Sequence, residues 1–174
     1  MSFHIPDDIY QALCKSVGDL ILNWGLAESA LDIGVAIVFH RGGNTVEDTI
    51  PKAMDKKTEF LKQSFKTLPH LFPWREEATA LAIEANNLAN IRHTVVHGSI
   101  SQYDPNGHKI VFHMLKAEPT IHRHRTQTVA IQTILAAGGK SGALCRKLLD
   151  LDERLAKALV AQDILEDAAR LSTS

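Results

Sequence analysis

A chain of 174 residues, 45% hydrophobic and 22% charged, has the size and composition of one ordinary globular domain able to bury a substantial core. Its net charge of −1 with neutral histidines excludes attachment to nucleic acid by bulk positive charge, so any RNA contact has to come from a local patch. The first residues lack the basic start and apolar run of a secretory signal, no uninterrupted apolar run approaches membrane-spanning length, and Cys14 and Cys145 have no metal-ligand spacing, so the expectation is a cytoplasmic protein without membrane attachment.

Pro6 followed by Asp7 and Asp8 suits a helix start, through the fixed φ of proline and the favourable charge at a helix N-terminus. Ile9, Leu13, Val17, Leu20, Trp24, Leu31 and Val35 recur at helical spacing and predict one long helix, stopped by Gly42-Gly43 after Arg41. Gly18, Gly25 and Gly34 inside it each cost roughly 1 kcal/mol in propensity and read as places of close packing. Residues 44–57 read as a polar loop with a short helical turn. Leu61, Phe65 and Leu68 predict a short second helix ended by Pro69 and Pro73, and a third spans Trp74 to His97, capped by Gly98.

Asp104-Pro105-Asn106-Gly107 is a turn signal between Ser99–Tyr103 and His108–Leu115, so a small β-hairpin is expected directly behind the third helix. Thr126 to Ala137 reads as a helix ended by Gly138-Gly139. Ser141 reads as the cap of a last helix carrying Leu144, Leu148, Leu151, Leu155 and Leu165 on one face. There is no internal repeat and no low-complexity segment. The expected architecture is a single all-α domain over residues 1–174, a helical bundle of four to five helices with one small β-hairpin.

The residues that carry chemistry lie at the end of the third helix. Asn86, Asn90, His93 and His97 recur at four, three and four and form a polar stripe. Trp74, Ala78, Leu81, Ala85, Leu88, Arg92 and Val95 form a second line, apolar except for its arginine. A guanidinium at that seam requires a partner, because burying it unpaired is costly. Glu28 interrupts the apolar stripe of the first helix in the same way, which suggests that Glu28 and Arg92 meet across a helix pair. His93 and His97, one turn apart, can also ligate metal, but no nearby Cys, Asp or Glu completes a site, so neither metal nor cofactor is expected. His122-Arg123-His124-Arg125 is a basic run that either contacts RNA phosphates through Arg123 and Arg125 or forms an exposed loop before a helix. Trp24 and Trp74 lie on apolar stripes and read as core anchors.

Arg92-His93-Thr94-Val95-Val96-His97 resembles the arginine, polar residue, three spacers, histidine signature of HEPN domains, small α-helical domains common in bacterial toxin–antitoxin, defence and RNA-processing systems. Asn23-Trp24-Gly25-Leu26-Ala27-Glu28-Ser29-Ala30-Leu31-Asp32 is similar to the first core helix of some of these proteins, and Gly98 with the following hairpin has counterparts in part of the family. The resemblance covers residues from about 8 to 165. It departs from the pattern at His93, where asparagine or aspartate is more usual, although histidine keeps the capacity to donate or accept a hydrogen bond.

The resemblance implies a HEPN-like bundle and a metal-independent endoribonuclease, acting as a toxin or defence effector. The 2′-hydroxyl of RNA attacks the adjacent phosphate, leaving a 2′,3′-cyclic phosphate and a 5′-hydroxyl. In that reading His97 is the acid–base group and Arg92 stabilises the developing charge. His93 orients His97 or shares the proton transfer, Asn90 bonds a phosphate or base, and Glu28 supports Arg92. The resemblance further implies a homodimer that brings two motifs to one cleft, and a cognate antitoxin protein as partner. A second function remains open beside it: a non-catalytic HEPN-like module that binds RNA or a protein, or only dimerises, with Arg92 and Glu28 holding the bundle together.

Overall fold

The computed structural model describes residues 4–117 and 122–172. Among them, α1 (Asp7–His40) is followed by a 3-10 turn (Gly43–Thr45), α2 (Met54–Thr67), a second 3-10 segment (Pro69–Trp74) and α3 (Arg75–His97). Strands β1 (Ser99–Asp104), β2 (Lys109–Ala117) and β3 (His122–Ala130) come next, and α4 (Ile131–Ser172) closes the chain. α1, α3 and the β1–β2 hairpin form where the sequence pattern predicts them, while α2 begins at Met54, inside the span expected to be a loop, and ends before Leu68. By length and composition α1 is apolar enough to cross a membrane, with a mean hydropathy of 1.4 over its most apolar stretch, of which 39% is buried inside the protein. Reading only uninterrupted apolar runs had passed over it.

The expected all-α bundle with a hairpin is overturned by a third strand. His122–Ala130, read as loop and helix start, pairs antiparallel with β2 along its whole length, from Ala117↔His122 to Lys109↔Ala130. Thr126, Thr128 and Val129 are β-branched, and along 126–129 exposed threonines alternate with the half-buried Gln127 and the buried Val129, as on a half-covered sheet. The two helices expected after it are one 42-residue helix, α4, and Gly138-Gly139 lies inside it. Gly138 serves close approach: a Cβ there would come within 2.9 Å of Asp19 Cβ and 3.1 Å of the Leu20 backbone nitrogen, while its carbonyl accepts a hydrogen bond from Asn23 Nδ2 at 3.0 Å.

The chain divides into two compact units, residues 1–27 with 84–143 and residues 28–83 with 144–174. The first holds the antiparallel sheet, in the order β1-β2-β3. Its hairpin turn is closed by Asp104 Oδ1, which accepts from the backbone N–H groups of Asn106 and Gly107, both at 3.0 Å. His108 takes a left-handed φ of 46° to finish the turn. Register slips between Ile100 and Gln102, leaving Ser101 as a bulge whose hydroxyl donates to Val111 O at 3.1 Å. Leu13, Ile110, Phe112, Val129, Ile131 and Ile134 form the core of this unit.

The second unit buries charge as well as apolar surface. Lys57, its side chain only 7% exposed, pairs with Asp32 at 2.5 Å and with Glu28 at 3.7 Å. Asp152, 6% exposed, lies against Gly34, where a Cβ would come within 2.6 Å of its Oδ1. Among the described residues no group hydrogen-bonds its Oδ2, and it shares a small cavity with Leu31, Val38, Leu61, Phe65 and Leu148. Burial therefore pushes its carboxyl from the ordinary 3.8 up to about 7.

Because the folded value is the higher one, folding takes up a proton between those two pH values. Stability from this group is greatest in acid, falls as pH rises from about 4 to about 7, and is level above that. Asp152→Asn removes the ionisation, so its stability relative to wild type should rise by a few kcal/mol between pH 5 and pH 8 in denaturant titrations. An unchanged difference across that range would show that the carboxyl is not desolvated as described.

Candidate catalytic site on the third helix

The last two turns of α3 bring Asn90, Arg92, His93 and His97 together. Arg92 and His97 stand about 140° apart around the axis, close enough for the long arginine side chain to reach across. Arg92 Nη1 lies 3.4 Å from His97 Nε2. In the tautomer with its proton on Nδ1, the imidazole accepts from the guanidinium at Nε2. The rings of His93 and His97 lie 4.8 Å apart between centroids, tilted by 50°. Asn90, His93 and His97 are exposed, whereas Arg92 is half-buried. Its Nε is shut off from solvent without a hydrogen-bond acceptor among the described residues. The Nη end of this permanent charge, beside two accessible imidazoles, is suited to an anionic oxygen.

Two contacts set this geometry that the sequence pattern did not single out. Thr94, between the two histidines, is 1% exposed, and its hydroxyl lies 2.8 Å from both Asn90 O and Gln127 Oε1, its one proton shared between them. Gln127 is on β3, so this bond ties the motif helix to the strand that the sequence reading missed. Helical spacing puts Thr94 nearer the polar stripe than the apolar line, so its burial was not legible from the periodicity. Gln127 becomes legible only once residues 122–130 are recognised as a strand. Gly98 then closes the helix, its N–H donating to Thr94 O at 2.9 Å. A Cβ at Gly98 would stand 2.5 Å from Thr94 O and 3.0 Å from Phe112 Cβ, so glycine is required there by space.

The other expected site residues are placed differently. Glu28 belongs to the ion pair with Lys57, which corrects the expected pairing with Arg92: α1 turns that carboxylate toward α2, where a lysine meets it. The basic run forms strand β3, with Arg125 exposed opposite Met114, and the Arg123 side chain lies outside the described residues. Trp24 is buried as a core anchor, while Trp74 is half-buried. Among the described residues no three His, Cys, Asp or Glu side chains cluster as metal ligands. At α3 two exposed imidazoles stand beside a fixed positive charge. No protein-family model matches this chain, and neither the curated proteins nor the solved structures contain a match.

Proposed function

We propose that the chain is a HEPN-type, metal-independent endoribonuclease of the cytoplasm, acting as a toxin or defence effector. The observation that carries this reading is the Arg92–His97 pair at 3.4 Å, with His97 open to solvent. His97 takes the proton of the attacking 2′-hydroxyl or delivers one to the leaving 5′-oxygen. The Arg92 guanidinium donates through its Nη groups to the phosphorane oxygens as their charge grows. Exposed Asn90 and His93 hold the neighbouring phosphate or base.

In-line displacement sets the attacking and leaving oxygens on opposite sides of phosphorus, whereas His93 and His97 share one helix face. A second copy of the motif supplies the opposite side, which is the reason to propose a homodimer. Apolar surface for such association exists on α1, where Leu22 is 73% and Leu26 61% exposed. A cognate antitoxin protein, covering the histidines or that face, is the partner the reading implies.

Purified wild type should cleave RNA in EDTA, leaving 2′,3′-cyclic phosphate and 5′-hydroxyl ends. His97→Ala and Arg92→Ala should each lose about 10²–10³-fold in rate while unfolding at the wild-type temperature. Equal cleavage by wild type and His97→Ala, or none by either, sinks the assignment and leaves the motif as an interaction element. Leu22→Glu with Leu26→Glu should convert a dimer, measured by light scattering after gel filtration, into a monomer with cleavage lost in parallel. A wild type that is monomeric at working concentrations and still cleaves would refute the two-copy site.

A further inference from the structure

With a net charge of −1 the chain needs a local cationic patch to hold a polyanion, and α2 is where its lysines gather. Within the second unit, a groove of about 590 Å³ lies between the C-terminal half of α2 and the first turns of α3. Lys62 and Lys66, one turn apart on α2, line it together with Arg75 at the start of α3. Glu59 engages Lys62 at 2.5 Å, but among the described residues no acid pairs with Lys66 or Arg75, both exposed. The floor is apolar, formed by Ala80 and the exposed Ile83, and a single carboxylate, Glu76, also lines the groove.

We infer that this groove docks the backbone of single-stranded RNA, with phosphates on Lys66 and Arg75 and a sugar or base face on Ile83. Two uncompensated cations fit phosphodiester oxygens, and their positive charge favours a polyanion over a neutral ligand. The apolar floor selects a single strand, whose base faces are uncovered, over a duplex that keeps them stacked inside. Glu76 opposes the phosphates and limits affinity. This inference rests on the ribonuclease reading for its choice of RNA, and it uses none of the residues of the Arg92–His97 motif.

The test is fluorescence anisotropy with a short 2′-O-methyl oligouridylate, which lacks the attacking hydroxyl and is not cut, titrated over a series of KCl concentrations. Lys66→Ala with Arg75→Ala should weaken binding about tenfold or more and flatten the dependence of log K on log salt by about 0.7 per lost phosphate contact. Glu76→Gln should tighten binding, a gain that no misfolded variant produces. On cleavable RNA the double variant should show a raised KM.

Failure of the two readings can be told apart. If wild type cleaves RNA but the double variant keeps its affinity, salt slope and KM, the groove assignment is overturned and the ribonuclease stands. If binding depends on Lys66 and Arg75 and nothing is cleaved, the ribonuclease falls and the groove stands. No binding of the oligonucleotide by wild type overturns the groove, as does its full displacement by an equally charged acidic peptide.

Discussion

The last turn of α3 is pinned to the sheet by two contacts a few atoms wide: Gly98 pressed on Phe112, and the Thr94 hydroxyl bonded toward Gln127. Both are unforgiving. Any side chain at residue 98 overlaps the Thr94 carbonyl, and removing the Thr94 or Gln127 partner leaves a polar group without its bond in a buried place. Because Arg92, His93 and His97 ride on the same two turns, helix geometry sets their spacing and this docking sets where they stand against the sheet. This support behind the helix end holds the imidazole of His97 and the guanidinium of Arg92 in one place, as the proposed chemistry would need.

Charge is handled in three ways. Lys57 is buried but bracketed by Asp32 and Glu28, so its desolvation is offset by two carboxylates. Asp152 is buried among apolar side chains and answers by holding its proton to about pH 7. Arg92 has neither escape: a guanidinium does not deprotonate, and it meets an imidazole instead of an acid. Arg92 Nε and Asp152 Oδ2 both lack a partner among the described residues, but of the two only the arginine stands beside exposed side chains, His93 and His97.

Legibility followed the range of the forces involved. Helical periodicity located α1, α3 and the later turns of α2 because each apolar stripe is a local pattern, and Asp104-Pro105-Asn106-Gly107 located the hairpin because turn chemistry acts over four residues. The same local logic failed at His122–Ala130 and at Gly138-Gly139. The strand exists because β2 offers a pairing edge, and the two glycines continue a helix because α1 packs against Gly138. Neither neighbour is near in sequence. Glu28 was misassigned for a related reason: matching interruptions in two stripes do not say which helix each stripe faces, and its carboxylate met Lys57.

The sequence by itself determined that Arg92, His93 and His97 share the end of one helix, since spacing along an α-helix follows from fixed rise and turn. It also determined that nothing beyond a local patch can hold RNA, since net charge is a sum over residues. Only the tertiary structure decided that Arg92 Nη1 reaches His97 while its Nε goes unsatisfied, and that Thr94 is tied to Gln127. It alone assembled Lys62, Lys66 and Arg75 into one groove. Those facts depend on which surfaces are excluded from water and which side chains from distant segments meet, and no periodicity along a single chain encodes either.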